Sequence, residues 1–256
     1  MKSQARLAAL LCVALAAVAA AAGAQQRVPG ENPRVTAARL NAQLAVAYLK
    51  QNDVAAAREK IDKALEQNPQ DADVQTAAAL VFERVNEVGR ADSAYARAMH
   101  LEPRNPDRVN NYAVFLCRRG HAAQGQKLFD QAAHNSAYAT PEVAYNNAGV
   151  CARGAGNMVV AEEYFRKALA VRPDYPDALL QMADVAFTRG ESLKARAFLQ
   201  RHFNAAPETP DALLLAVKVE RSLGDARAAD EYGARLQAAF PNSDQARQLR
   251  RRVGDD

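Results

Sequence analysis

Two asparagine pairs, Asn110-Asn111 and Asn146-Asn147, and two cysteines, Cys117 and Cys151, have chemistry and spacing that need an explanation. An asparagine amide donates and accepts at once, so it can pair with the backbone of an extended peptide. It also competes for helical hydrogen bonds, so repeating the pair inside a helix has a cost. Either a groove for a peptide or a bond to a neighbouring structural unit explains the repetition, and the sequence leaves both open. Cys117 and Cys151 make a disulfide possible, with two small buried hydrophobes as the alternative.

The other reactive groups form no constellation. His100, His121, His134 and His202 have no partner at metal-ligand spacing, and surface or interhelical histidine fits them better. Glu162-Glu163 and Asp255-Asp256 are sequence neighbours, so on a helix each pair diverges and cannot flank a substrate. Gly154-Ala155-Gly156 follows no strand and precedes no G-K-[ST], which argues against a phosphate loop. No Ser-His-Asp order or nucleotide motif occurs, so the reading is a non-enzyme, with no catalytic residue, metal or cofactor. The net charge of +4 falls to +2 once Lys2 and Arg6 are set aside, and no nucleic-acid partner follows from it.

What must position the asparagines and cysteines is a repeat. Ala57, Ala91, Gly125, Ala161, Ala195 and Ala229 recur every 34 residues, except for one step of 36. Asn52, Asn86, Gly120, Gly156, Gly190 and Gly224 keep the same step, as do Pro69, Pro103, Pro173, Pro207 and Pro241 with Ala137 in the missing place. Such a period means stacked supersecondary units. The alanines sit where two helices cross closely, and Ile61, Tyr95, Phe129, Phe165 and Leu199 fill the space between units. The asparagines and glycines end the first helix in a left-handed residue. The longer step is a two-residue insertion within Asn135 to Pro141, with Thr140 expected as N-cap and Pro141 as the first helical residue.

Residues 1–24 read as an export signal: a basic start, apolar residues from Leu7 to Ala22, and Ala22-Gly23-Ala24 as the cleavage pattern. Cys12 has Leu11 and Ala9 before it, a poor lipobox, which leaves a lipid anchor in doubt, and cleavage after Ala24 would discard Cys12. Residues 25–37, with Pro29, Gly30 and Pro33, read as a linker, and repeat units follow at about 38–71, 72–105, 106–141, 142–175, 176–209 and 210–243. The basic end carries Arg247, Arg250, Arg251 and Arg252 on an extra capping helix. A solvated helix end is one reading of that run, and attraction to anionic lipid headgroups is the other.

Each unit resembles a tetratricopeptide repeat, best seen in Tyr145, Ala148, Gly149, Ala152, Ala161, Phe165, Ala168 and Pro173. The expected fold is all-α, a right-handed superhelical solenoid of about six such repeats over 38–256. In that fold the fifth, ninth, twelfth and thirteenth first-helix positions line a concave groove. Here these are Asn110, Val114, Cys117 and Arg118, then Asn146, Val150 and Arg153.

Val109 to Gly120, Ala137 to Glu142 (with Tyr138-Ala-Thr-Pro-Glu142), Asn147 to Ala152 and Ala161 to Leu169 resemble the type IV pilus biogenesis/stability proteins, pilotins of the pilus secretin. The resemblance implies a periplasmic scaffold at the outer membrane that binds the secretin subunit and promotes its outer-membrane localisation and multimerisation. It also implies possible contact with other pilus assembly proteins and with the membrane's inner leaflet; a monomer is expected. The alternative is a general periplasmic repeat adaptor in envelope assembly or cytochrome maturation, which has no need of the Tyr138 to Glu142 motif.

Overall fold

The computed structural model of the chain describes residues 32–253. The expected export signal and most of the expected linker lie outside the described residues. Within them are thirteen helices and no strand: α1 Pro33–Lys50, α2 Val54–Gln67, α3 Ala72–Arg84, α4 Val88–Leu101, α5 Pro106–Arg118, α6 Ala122–Ala133, α7 Pro141–Gly154, α8 Met158–Val171, α9 Pro176–Thr188, α10 Ser192–Ala205, α11 Pro210–Ser222, α12 Ala226–Ala239 and α13 Asp244–Val253. They fall into two compact units, one ending at Ala91 and the other beginning at Asp92.

In the first unit α1 starts at Pro33, inside the stretch read as linker, and this corrects that boundary. The reason is local: Asn32 accepts the Arg34 N–H at 3.0 Å and Pro33 takes the first helical position, where its missing N–H costs nothing. Ala38, Ala42 and Ala45 of α1 and Ala57, Ile61 and Ala64 of α2 are buried as the two helices pack, and α3 packs on both. Asp71 is buried because it has three donors to satisfy. It caps α3 through the Asp73 and Val74 N–H groups and meets Arg39 Nε at 2.8 Å.

In the second unit the helices alternate along the chain, and each first helix (α5, α7, α9, α11) packs against the second helix that follows it (α6, α8, α10, α12). The periodic residues carry that packing: Ala161, Ala195 and Ala229 are buried at the crossings, and Tyr95, Phe129, Phe165 and Leu199 are buried beside them. Gly149 is small for a visible reason, since a Cβ there would stand 2.6 Å from Phe165 Cδ1. The residues expected to end first helices all have positive φ, from 59° at Asn86 to 84° at Gly120. Gly120 lets the chain reverse so that the His121 N–H reaches the Leu116 carbonyl at 2.9 Å, which satisfies an otherwise orphaned helix end.

The two-residue insertion folds inward. Tyr138 is buried in a cluster with Val109, Phe129, Ala132 and Ala144, and Asn135 Nδ2 holds the Arg104 carbonyl at 3.0 Å. Thr140 stands at the N-cap position of α7, yet its side chain makes no cap bond. Its hydroxyl is engaged with Tyr138 instead, whose phenol is pushed up by burial against the lowering effect of that bond.

Two observations in this unit generate tests. Gly125 occupies the alanine slot of its repeat, and a Cβ there would run into Cys117 Sγ and lie 3.0 Å from the Ala113 carbonyl. Gly125→Ala therefore lowers stability by about 1–3 kcal/mol through overpacking. With Cys117→Ser and Cys151→Ser already in place, much of that penalty disappears; equal losses in both backgrounds, by urea unfolding, contradict the account. Glu162 is buried and is held below the usual carboxylate range first by its hydrogen bond to Arg166 and also by the charges of Arg189 and Arg166. A carboxylate lowered on folding contributes stability that is present above its ordinary value of 4.5 and lost as pH falls through the folded value. Urea unfolding from pH 7 downward shows that loss, and Glu162→Gln flattens the acid limb; an unchanged slope in the variant contradicts the assignment.

Candidate functional site

The candidate surface is the side of the second unit on which the first helices lie next to one another, α5 beside α7, α9 beside α11 and α11 beside α13. The two asparagine pairs lie here, with different fates. Asn110 is buried, and its Oδ1 accepts the Asn147 Nδ2 at 3.2 Å across the α5–α7 contact. Asn110 thus serves the stack, because its acceptor is used by the next repeat. Asn146 is also buried, but its Oδ1 has no hydrogen-bond partner. Gln181, which stands to Asn146 as Asn147 stands to Asn110, likewise has its Oε1 buried and unpaired. The rung is made once and left open once.

Cys117 and Cys151 are joined in a disulfide with their Cα atoms 5.5 Å apart. The bond ties α5 to α7 between the repeats that carry the asparagines. Closing the 34-residue span removes chain entropy from the unfolded state, about 4 kcal/mol in the loop-closure model. Val114 is half-buried and packs on the core cluster around Phe129, whereas Val150 is exposed at 39%. Arg118 is exposed, and Arg153 Nη1 meets Asp184 Oδ2 on α9 at 2.8 Å. Both partners of that pair are more than a third exposed, so it contributes no more than ~1 kcal/mol and sets register more than stability.

The segment from Tyr138 to Glu142 does not join this surface. Tyr138 fills the core and Glu142 is buried with Arg172 Nη1 3.8 Å away, so the motif's visible role is to build the insertion. Glu162 and Glu163 point apart as adjacency on a helix requires, one buried in its arginine pairs and the other exposed. His202 is buried with Nδ1 at 3.0 Å from the Pro176 carbonyl, while His100, His121 and His134 are exposed. Among the described residues no group of His, Cys, Asp and Glu is placed to hold a metal, and no helix is long and apolar enough to cross a membrane. In the terminal basic run, Arg247 pairs with Asp244 and bonds the Asn242 carbonyl, and Arg250 bonds the Pro241 carbonyl. Those arginines tie down the preceding turn.

Sequence reasoning missed Asp184, Lys218 and Arg221, which lie on the first helices one and two repeats beyond the asparagines, at the Val150 and Arg153 positions. Counting in steps of 34 residues on from Val150 reaches Asp184 and Lys218, and two such steps from Arg153 reach Arg221. A polar cleft of about 210 Å³ between α10, α11 and α12 is lined by Arg196, Glu220, Asp225, Glu231 and Tyr232. Its carboxylates are partly spent, since Arg196 Nε holds Glu220 Oε1 at 2.9 Å. The first-helix surface, with amides, apolar side chains and cations in a row, has the chemistry to hold an extended polypeptide.

Comparison with known proteins fits this geometry. Tetratricopeptide repeat models match residues 38–71 and 152–219. The type IV pilus assembly protein PilF of Pseudomonas aeruginosa is 28% identical over 201 residues, which is 78% of this chain and 80% of that protein. The solved structure of PilW, a widely conserved type IV pilus biogenesis factor, is 29% identical with a TM-score of 0.70, covering 83% of this chain and 97% of PilW. That of Pseudomonas aeruginosa PilF is 26% identical with a TM-score of 0.69, covering 86% of this chain and all of PilF at 100%. The chain is therefore a tetratricopeptide-repeat protein, all-helical over the described residues and homologous to the type IV pilus proteins PilF and PilW.

Proposed function

We propose that this protein is a non-enzymatic scaffold of type IV pilus biogenesis that binds the pilus secretin subunit and promotes its multimerisation at the outer membrane. The observation that carries the reading is the homology to PilF and PilW along most of the chain, at 28% and 29% identity. The export signal read at residues 1–24 supports a periplasmic site of action. The repeat fold supports binding over catalysis, because stacked first helices make an extended surface and the candidate site gathers no nucleophile with a base.

The contact assigned to the secretin is the first-helix side of the second unit, around Val150 and Arg153 and extending along α9 and α11. Asn110 is withdrawn from this set, since its amide oxygen is already taken by Asn147. Val150 is one of the exposed large apolar side chains and is not a buried member of the core, so replacing it perturbs binding without unfolding the repeat. Val150→Glu is expected to keep helicity and abundance while weakening capture of purified secretin about tenfold, about 1.4 kcal/mol. Deleting the gene is expected to remove secretin multimers and surface pili. Wild-type multimer levels in the deletion strain overturn the secretin reading, and undiminished capture by Val150→Glu moves the contact elsewhere.

A further inference from the structure

On the first-helix side, the pattern of charge changes between α7 and α11. Arg153 on α7 meets Asp184 on α9. One repeat on, the two corresponding positions hold Phe187 and Lys218, and α11 then adds Arg221. Neither Lys218 nor Arg221 has an ion-pair partner among the described residues. The two cations line a narrow cleft between α11 and α13, whose floor is Leu214, Val217 and Leu249. Half-buried Leu180 and Phe187 on α9 carry the apolar surface towards α7.

Lys218 and Arg221 are three apart on one helix, so their side chains project from neighbouring points of the same face and both can reach one carboxylate. The carbonyl end of α11 by itself explains a cation at Arg221, which lies in the last turn. It does not explain a second cation a turn earlier, beside an apolar cleft and with no acid to meet it among the described residues.

We propose that this end of the surface takes an extended segment of a partner protein that carries an aspartate or glutamate next to a bulky apolar residue. The carboxylate sits between Lys218 and Arg221, and the apolar side chain lies over Leu214 and Phe187. The proposal rests on the reading that the first-helix side is the partner-binding surface, and it specifies the chemistry of what binds. Neighbouring first helices are spaced by about 10 Å, and an extended chain advances about 3.3 Å per residue. A segment of roughly six to nine residues therefore spans α7 to α11.

The test is fluorescence anisotropy of the full mature chain with labelled peptides of about ten residues that alternate leucine with aspartate, asparagine or lysine. The aspartate peptide is expected to bind, and Lys218→Gln with Arg221→Gln to weaken it about tenfold or more, as loss of a charge-assisted carboxylate contact does. Arg247→Gln with Arg250→Gln, on exposed residues of α13, is expected to change it less than about twofold. Lys218→Glu with Arg221→Glu should bind the lysine peptide instead, which a misfolded variant cannot do. Equal binding of the aspartate peptide by wild type and the Lys218→Gln, Arg221→Gln variant overturns the proposal, as does an asparagine peptide that binds as well as the aspartate one. These arms need no secretin. A failure of secretin capture removes the proposed partner and leaves the peptide result standing, whereas equal peptide binding removes this inference alone.

Discussion

The structure depends on close approach of helix backbones at each repeat's crossing, and only a very small side chain permits it. Alanine fills that place at 57, 91, 161, 195 and 229, each at most 2% exposed. Glycine replaces it at 125 because the Cys117 sulfur occupies the room a methyl group would need. Close-packed interiors do not absorb an extra methyl group without shifting. A 34-residue period in small residues is therefore a period in helix crossings, and the loops, caps and insertion are fitted around it.

That constraint divides labour between the two kinds of helix. Aromatic and long aliphatic residues of the second helices, such as Phe129, Phe165 and Leu199, fill the space between repeats. The first helices are then relieved of part of the packing, and one face of each is free to vary in chemistry. In the second unit that face changes along the stack, from a disulfide and asparagines on α5 and α7 to an ion pair between α7 and α9 and, on α11, cations with no ion-pair partner among the described residues. Crystallisation of such variety on a uniform framework is what a binding scaffold requires, because partner recognition is a matter of side chains while the backbone stays the same.

Much of this was legible in the sequence. The period located the helix pairs, and Asn52, Asn86 and the four glycines at first-helix ends have the positive φ their types favour. What escaped was whatever the period does not encode. Tyr138 looked like part of the motif that separates the pilus family from a general adaptor, yet its side chain, carried by the two-residue insertion, is buried in the core. Thr140 looked like a cap, but a buried phenol nearby offered its hydroxyl a better partner. Pro33 looked like linker because prolines punctuate loops, although after Asn32 it is also a helix start. The site was read from repeated asparagines, so its charged part at Asp184, Lys218 and Arg221 was passed over; the residue type changes from repeat to repeat at the Val150 and Arg153 positions, and only the 34-residue step connects them.

The central claim is that the partner is held by first helices of the second unit while second helices serve the core. Hydrogen–deuterium exchange of the mature chain, measured with and without saturating secretin subunit, tests it most directly. The account predicts added protection in α7, α9 and α11 and none in α8, α10 and α12. Protection confined to α8, α10 and α12, or to the unit ending at Ala91, would contradict it.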